Sequence, residues 1–293
     1  MDMTTDALTH HRPARATPAG EWIVDITPEN AGWGFSGLRV IELSPGGRLD
    51  HETGADEVIV LPLAGSARVT CGGETIDLIG RRDPFSGPSD FAYLPRDASV
   101  RLQSAPGGRF ALASARAEER LPFRYGPSED VPVELRGTGA CSRQVRNFAS
   151  PSGFSAQRLI AVEVITPGGN WSSYPPHKHD EVAPSEGILE EIYYYEIASG
   201  PAGPGMGYQR VYGTTDRPID VLVEVRDRDV VLIPHGWHGP SMAVPGYDMY
   251  YLNVMAGPGA ERAWRITDDP AHAWVRETWA SQDVDPRLAS RQP

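Results

Sequence analysis

The stretch Pro175-Pro176-His177-Lys178-His179-Asp180 carries two histidines that are two residues apart. Side chains of a β-strand alternate between its two faces, so His177 and His179 project from the same face of an extended segment. A third histidine, His238, follows in the segment Pro234-His235-Gly236-Trp237-His238. A carboxylate from a neighbouring strand would complete a set of three imidazoles and one oxygen ligand. Such a set suits Zn, Mn, Fe or Ni better than Ca or Mg. The sequence therefore predicts one transition-metal site whose ligands come from neighbouring strands.

Short segments with the pattern of β-strands recur along the chain. Residues 57–61, 67–71 and 229–233 are β-branched or alternating runs bounded by Gly, Pro, Asp and Asn. Their length and composition are typical of strands. Helical periodicity is scarce, and the clearest helix is predicted around residues 270–281. The sequence predicts an all-β protein that folds as a sandwich, jelly roll or barrel, with a short C-terminal helical segment.

The two halves of the chain repeat each other. Residues 90–95 (DFAYLP) parallel residues 229–234 (DVVLIP), and residues 51–53 (HET) parallel residues 177–179 (HKH). The order of the matching segments is the same in both halves. The repeat predicts two related β domains, over residues 21–135 and 136–293, after a disordered tail at residues 1–20.

The N-terminal copy lacks part of the predicted metal site. Thr53 stands where the second histidine of the pair would be, and the stretch Arg96-Asp97-Ala98-Ser99 directly after Pro95 contains no histidine. We therefore expect the N-terminal domain to be free of metal. The repeat also aligns Glu57 with Glu191, which selects Glu191 as the oxygen ligand. Glu190, the adjacent residue of the same strand, points to the opposite face.

The composition excludes several classes of partner. The net charge of −12 argues against nucleic acid, because a phosphate-binding surface needs a basic footprint. No stretch approaches the roughly 18 apolar residues of a membrane span, and residues 1–20 lack the apolar run of a secretory signal. Cys71 and Cys141 fit neither a disulfide framework nor a zinc finger. A cytoplasmic protein with reduced thiols is expected.

Six segments spread over most of the chain share a pattern with one enzyme family. They are His177-Lys178-His179-Asp180, Leu189-Glu190-Glu191-Ile192-Tyr193-Tyr194-Tyr195, Gln209-Arg210-Val211-Tyr212, Val231-Leu232-Ile233-Pro234 with Gly236-Trp237-His238, Tyr251-Leu252-Asn253-Val254-Met255-Ala256-Gly257 and Arg143-Gln144-Val145-Arg146-Asn147. In combination they resemble the 5-deoxy-glucuronate isomerases of myo-inositol catabolism. The His-x-His element alone is typical only of the wider cupin superfamily.

The resemblance implies a bicupin, with two jelly-roll barrels, that acts on a small deoxy-uronate. The reaction would be the aldose to ketose conversion of 5-deoxy-D-glucuronate to 2-deoxy-5-keto-D-gluconate. Related isomerases of pectin breakdown carry a zinc site of three His and one Glu, which match His177, His179, Glu191 and His238 here. The chain departs from the general cupin pattern in the long gap between the His pair and the Glu. Whether the protein forms a homo-oligomer is left open.

The reaction also requires residues beyond the metal ligands. Arg210 is our candidate for the uronate carboxylate, because a guanidinium binds a carboxylate bidentately, and Lys178 is the second candidate substrate-binding residue. Glu190 and Tyr251 are the candidate general bases. A metal-bound hydroxide, or a hydride shift without a base, are the alternatives. Two other functions also stay open, a metal-dependent cupin dioxygenase and a sugar-binding bicupin without catalysis.

Overall fold

The computed structural model describes residues 9–14 and 21–289, which form an almost entirely β protein. The strands before residue 127 are β1 (His11–Arg12), β2 (Trp22–Ile26), β3 (Ser36–Leu43), β4 (Arg48–Glu52), β5 (Asp56–Cys71), β6 (Glu74–Arg81), β7 (Phe91–Leu94), β8 (Ser99–Gln103), β9 (Gly108–Arg116) and β10 (Arg124–Gly126). The later strands are β11 (Val133–Arg136), β12 (Arg143–Ala149), β13 (Ile160–Thr166), β14 (Trp171–Ser172), β15 (His177–Lys178), β16 (Asp180–Ala183), β17 (Glu186–Ile188), β18 (Glu190–Ile197), β19 (Gly207–Tyr212), β20 (Asp220–Val225), β21 (Val230–Ile233), β22 (Trp237–Ala243), β23 (Met249–Ala256) and β24 (Thr267–Asp268).

Helices are short and lie mostly near the C-terminus. They are α1 (Pro28–Ala31), α2 (Val275–Thr278) and α3 (Pro286–Ala289), with 3₁₀ turns at Pro84–Ser86, Ser128–Asp130, Gly139–Cys141 and Trp279–Ser281. The all-β prediction is confirmed, and the helix predicted at 270–281 is reduced to α2 and the turn that follows it. Within the described residues, no helix has the length and apolar content of a membrane span.

The N-terminal half folds around the long strand β5. One part of β5, Val58–Val60, pairs with β7, and the part after Gly65 pairs with β6 and β8. The strand bends between these parts, where its register with β9 and β6 shifts. Gly65 permits the bend, because its φ is +88° and an added Cβ would lie 2.4 Å from the carbonyl oxygen of Gly107. A single strand thus serves both layers of the N-terminal barrel.

The C-terminal half has two facing sheets. A seven-stranded sheet has the order β1-β21-β18-β23-β13-β12-β11, and a six-stranded sheet has the path β20-β19-β22-β15-β24 with β14 beside β22. The space between them is filled by a buried apolar cluster that includes Val162, Tyr195, Val211 and Val221. The two sheets therefore form a second barrel.

A third core joins the two barrels. Outward-facing residues of the N-terminal strands, such as Ile59 and Ala113, share one buried cluster with Ile192, Tyr194 and Leu252 from the C-terminal strands. The central strands β18 and β23 are consequently buried on both faces. The partly buried ion pair between Arg109 Nη2 and Glu196 Oε2, at 2.6 Å, also crosses this interface, as does the buried pair of Arg81 with Glu163.

The segment assignments differ from the predicted boundaries at two places. His11–Arg12, within the predicted tail, is a strand that pairs with Val230 and Val231, and His11 Nε2 lies 2.9 Å from Asp229 Oδ2. The other parts of the predicted tail, residues 1–8 and 15–20, lie outside the described residues. Strand β11 pairs with β12 of the C-terminal sheet. The boundary between the two halves therefore lies before Val133, whereas the prediction placed it after residue 135.

Candidate metal centre and adjoining cavity

Four residues with metal-ligating side chains meet inside the C-terminal barrel. His177 on β15 pairs directly with His238 on β22 in the six-stranded sheet. His179 follows β15, and Glu191 enters from β18 in the facing sheet. All four residues are buried. The group is thus assembled from both layers of the barrel, so its first and last members, His177 and His238, are 61 residues apart in the sequence.

The ligand atoms converge on a small volume. Glu191 Oε2 lies 2.9 Å from His179 Nε2 and 3.0 Å from His238 Nε2. Ligand atoms of these three residues all lie within 4.8 Å of one another, as in a site that could hold a metal ion. The His177 ring stands next to them, with its centroid 4.4 Å from that of His238. The predicted ligands are therefore brought together by the fold.

The hydrogen bonds of the histidines assign their tautomers. Nδ1 of His179 lies 3.0 Å from the Leu189 carbonyl oxygen, and Nδ1 of His238 lies 3.2 Å from the Gly236 carbonyl oxygen. A carbonyl can only accept, so in the neutral rings Nδ1 carries the proton and Nε2 offers its lone pair. His238 Nε2, although close to Glu191, has no partner with hydrogen-bonding geometry within the described residues. The Nε2 lone pairs of both rings and the Glu191 carboxylate oxygen would repel one another at these distances. Their arrangement therefore fits a cation that all three atoms share.

The electrostatics favour the ligand forms of Glu191 and His177. Burial raises the pKa of Glu191, but the adjacent His238 and His179 outweigh burial and hold the pKa at about 2. Burial and the neighbouring His238 and His179 lower the pKa of His177 well below its usual range. A carboxylate and a neutral imidazole are the protonation states that bind transition metals. The donor set thus fits a divalent transition metal.

Lys178, predicted as a second substrate-binding residue, does not face this group. It lies between His177 and His179 on the strand, so its side chain takes the opposite face. Its Nζ contacts Asp180 Oδ1 and Glu186 Oε1, each at 2.8 Å. Glu186 belongs to the β16–β17 hairpin, which accounts for the long gap between the His pair and Glu191. Lys178 therefore fixes this insertion.

Arg210, predicted as the partner of the substrate carboxylate, also does not line the cavity beside the ligand group. Its neighbours Gln209 and Val211 are fully buried inside the barrel, so Arg210 takes the outer face of β19. There its Nη1 binds Asp220 and the carbonyl oxygens of Val211 and Val221. Gln209, on the inner face, accepts a hydrogen bond of 2.8 Å from the Tyr195 hydroxyl.

Glu190, predicted as a candidate general base, does not line the cavity and instead binds the N-terminal half. Its carboxylate accepts hydrogen bonds of 2.7 to 2.9 Å from the backbone N–H groups of residues 34, 35 and 36 in the N-terminal half. In the N-terminal half, the carboxylate of Glu57 likewise accepts hydrogen bonds of 2.6 to 2.8 Å from the backbone N–H groups of residues 157, 158 and 159 in the C-terminal half. The structure therefore aligns Glu57 with Glu190, and the predicted alignment of Glu57 with Glu191 is wrong by one residue.

A cavity of about 190 Å³ adjoins the ligand group. It is lined by Arg136, Arg143, Val145, Val164, Ser173, His177, Glu191, Tyr193, Tyr251, Asn253, Trp264, Ile266 and Arg276. Among these residues Glu191 is the sole carboxylate. A wider depression of about 540 Å³ lies between the β16–β17 hairpin and residues 257–265, and none of the four ligand-type residues lines it. The cavity next to His177 is therefore the candidate substrate site.

Tyr251 is the one predicted catalytic residue that borders this cavity. Its hydroxyl lies 3.2 Å from Ser173 Oγ, which lies 2.9 Å from the Tyr193 hydroxyl. Burial raises the pKa of Tyr251 above its usual range, so the phenol is protonated at neutral pH. In that state it can donate a proton or a hydrogen bond, and it cannot begin the reaction as a base.

Sequence reasoning missed Arg143 and Asn253 as site residues. Both lie in segments that carry the family pattern, but no role was predicted for either. Asn253 is two residues from Tyr251 on β23, and Arg143 is two residues from Val145 on β12. Strand alternation from Tyr251 would have placed Asn253 on the same face.

The double barrel with one His and Glu group defines the chain as a bicupin. A family profile described as the KduI/IolB family matches residues 9–275, and the chain belongs to this family. It is 42% identical over 261 residues to a 5-deoxy-glucuronate isomerase of Geobacillus kaustophilus (strain HTA426), covering 87% of this chain and 91% of that protein. A Bacillus subtilis (strain 168) protein of the same name is 38% identical over 256 residues, covering 86% and 92%. The chain is accordingly an enzyme of the isomerase class.

Solved structures agree with this assignment. An IolB-like protein from Salmonella typhimurium LT2 superposes with a TM-score of 0.84 at 36% identity, covering 91% of this chain and 99% of that one. Bacillus subtilis oxalate decarboxylase superposes with a TM-score of 0.60 at 13% identity, covering 88% and 79%. The second likeness concerns the fold alone.

Proposed function

We propose that this chain interconverts 5-deoxy-D-glucuronate and 2-deoxy-5-keto-D-gluconate, an aldose to ketose isomerisation. The observation that carries the proposal is the convergence of His179, His238 and Glu191, with His177 next to them, beside a cavity, in a chain whose relatives are named 5-deoxy-glucuronate isomerase. The substrate is then a small sugar acid. We further propose that the enzyme acts in the cytoplasm, in the breakdown of myo-inositol, as the family resemblance implies.

His177, His179, Glu191 and His238 would hold one divalent transition metal, for which zinc is our first candidate and Mn, Fe or Ni are the others. Such an ion acts as a Lewis acid that polarises a carbonyl and makes the adjacent C–H more acidic. The Nδ1 hydrogen bonds of His179 and His238 to backbone carbonyl oxygens would leave Nε2 of both rings free to bind such an ion. The protein thus supplies a site with fixed ligand directions.

The hydroxyl groups that line the cavity are the candidates for proton transfer to and from the substrate. Isomerisation moves a proton from the hydroxyl-bearing carbon next to the carbonyl to the carbonyl carbon, while the carbonyl oxygen gains a proton and the neighbouring hydroxyl oxygen loses one. Tyr251 holds a proton at Oη and faces the cavity, and Ser173 links it to Tyr193. We assign Tyr251 the role of donor to the substrate oxygen. The buried position of all three residues keeps bulk water from this proton.

An assay with metal analysis tests the proposal. Purified protein is expected to contain one metal per chain, to convert 5-deoxy-D-glucuronate, and to lose conversion after chelation and regain it on addition of zinc. His51→Ala, which alters the corresponding histidine of the N-terminal barrel, is the matched control and should change neither quantity. Oxygen consumption with the sugar acid would instead support a dioxygenase. Tight sugar binding by metal-free protein without turnover would support a binding protein.

A further inference from the structure

Three arginines line the cavity, and they differ in their partners. Arg136 is bound by Glu134, with Nη2 to Oε2 at 2.7 Å, and Arg276 is bound by Asp268, with Nη2 to Oδ1 at 2.7 Å. Arg143 is only 5% exposed, and its Nη1 donates to the carbonyl oxygens of Cys141 at 3.0 Å and Tyr174 at 3.4 Å. Within residues 9–14 and 21–289, no carboxylate forms an ion pair with it.

A buried guanidinium without a counter-ion is costly, because burial removes its hydration and carbonyl dipoles replace only part of it. The cost is visible as a lowering of the Arg143 pKa to about 10, caused first by burial and increased by Arg136 and Arg276. The remaining N–H groups of the guanidinium are available to an anion in the cavity. A carboxylate is the planar anion that matches them.

A second group of donors points to the same kind of ligand. Asn253 is 3% exposed, and its Nδ2 has no hydrogen-bond acceptor among the described residues. The indole Nε1 of Trp264 likewise lacks an acceptor in that part of the chain. Both side chains line the cavity that Arg143 lines. Buried polar groups are normally paired, so a cavity with three incompletely used donors is built for a ligand rich in acceptors.

We infer that Arg143, Asn253 and Trp264 form the subsite for the substrate carboxylate, an inference that rests on the proposed isomerase function. Arg143 on β12 and Asn253 on β23 face the cavity from the seven-stranded sheet, while His177 faces it from the opposite sheet. A sugar acid has its carbonyl at one end and its carboxylate at the other. Anchoring the carboxylate at Arg143 leaves the carbonyl end for the metal ligands.

The test compares an acid with its uncharged counterpart. We would measure kcat/KM for 5-deoxy-D-glucuronate and for 5-deoxy-D-glucose, which has an alcohol in place of the carboxylate. Arg143→Gln should lower kcat/KM for the acid by about 10- to 100-fold, the range for hydrogen bonds to charged groups, and change the value for the alcohol by less than about 3-fold. Metal content should be unchanged. Arg210→Gln removes an arginine on the outer face and is the matched control.

Asn253→Ala tests the subsite if Arg143→Gln folds poorly, because Nδ2 of Asn253 has no hydrogen-bond acceptor in the described protein to lose. It should lower kcat/KM for the acid by about 10-fold. Arg143→Lys should fall between wild type and Arg143→Gln, because an ammonium keeps the charge but not the planar fork. An equal loss for acid and alcohol, or no loss for the acid, would overturn the subsite.

Failure of the isomerase proposal can be told apart from failure of the subsite. Wild-type protein that binds the acid in calorimetry but does not convert it would overturn the isomerase proposal only. The Kd of the acid then carries the test, and Arg143→Gln must raise it by about 10- to 100-fold for the subsite to stand. An unchanged Kd in that variant would refute the subsite whatever the reaction is.

Discussion

The two barrels share a backbone plan and differ in what fills the position of the metal site. In the C-terminal barrel His177 pairs with His238, and Glu191 pairs with Ile233. The corresponding pairs in the N-terminal barrel are His51 with Val100 and Val58 with Leu94. Of the four ligand positions the N-terminal barrel therefore has one histidine, and Thr53, Val58 and Val100 at the others.

This difference shows that the fold does not depend on the site. Val58 and Val100 belong to the buried core of the N-terminal barrel, and Thr53 uses its hydroxyl to bind the carbonyl oxygen of Pro95 at 2.8 Å. His51 stacks edge-on against Trp22, with ring centroids 5.9 Å apart. In the N-terminal barrel these positions are filled by packed side chains, whereas in the C-terminal barrel they carry the ligand group. The features kept in both barrels, Glu57 and Glu190, are those that join the halves.

The largest expected effect comes from removing a ligand of the C-terminal barrel. Removing the residue at the corresponding position of the N-terminal barrel is the control. His238→Ala should lower activity by about 100-fold or more and remove most of the metal, since even outer-shell changes cost about 10- to 100-fold. Val100→Ala should leave metal and activity unchanged. Circular dichroism should show an intact β fold in both variants, and metal retained at full occupancy in His238→Ala would exclude this histidine as a ligand.

The second expected effect is a dependence of stability on pH to which Glu191, a residue of the C-terminal barrel, contributes. The pKa of Glu191 falls from its usual 4.5 to about 2 in the folded protein, so the unfolded chain takes up this proton first as the pH drops. The stabilisation is complete above about pH 4.5 and is lost toward about pH 2, by about 3 kcal/mol for a shift of this size. Urea unfolding of metal-free protein measures it. Glu191→Gln should flatten the curve in this range, and an unchanged slope would contradict the assignment.

The next effect concerns the two glutamates that the barrels share. Glu57→Ala and Glu190→Ala should each lower the free energy of unfolding by about 1–3 kcal/mol, because backbone N–H groups lose their acceptor. The loss should be larger for Glu57, which is fully buried, than for the half-buried Glu190. Both variants should keep their metal. Metal loss in Glu190→Ala, with metal retained in Glu191→Gln, would reverse the assignment of the adjacent pair.

The smallest effect is expected for Arg210, which sequence reasoning placed at the substrate. Arg210→Gln should change the free energy of unfolding by less than about 1 kcal/mol, because exposed ion pairs contribute little, and should leave kcat/KM unchanged. Steady-state kinetics with 5-deoxy-D-glucuronate measures the second quantity. A loss confined to KM for the acid would return Arg210 to the substrate site.

The sequence by itself determined the all-β class, the repeat and the position of the His pair. These follow from local rules, since strand alternation places His177 and His179 on one face whatever surrounds the strand. The resemblance supplied the family. The strand at His11–Arg12 was missed because a two-residue strand has no pattern of its own and exists through its pairing with β21.

Only the tertiary structure decided which face of each strand is the inside of the barrel. On β18, Tyr193 and Tyr195 face the barrel interior while Ile192 and Tyr194 face the core between the halves, so both faces are buried and apolar. Hydrophobicity therefore cannot tell the two faces apart, and the choice between Glu190 and Glu191 needed their partners. Arg143 became a candidate for the same reason, because its lack of a counter-ion is a property of the packed barrel and not of its neighbours in the chain.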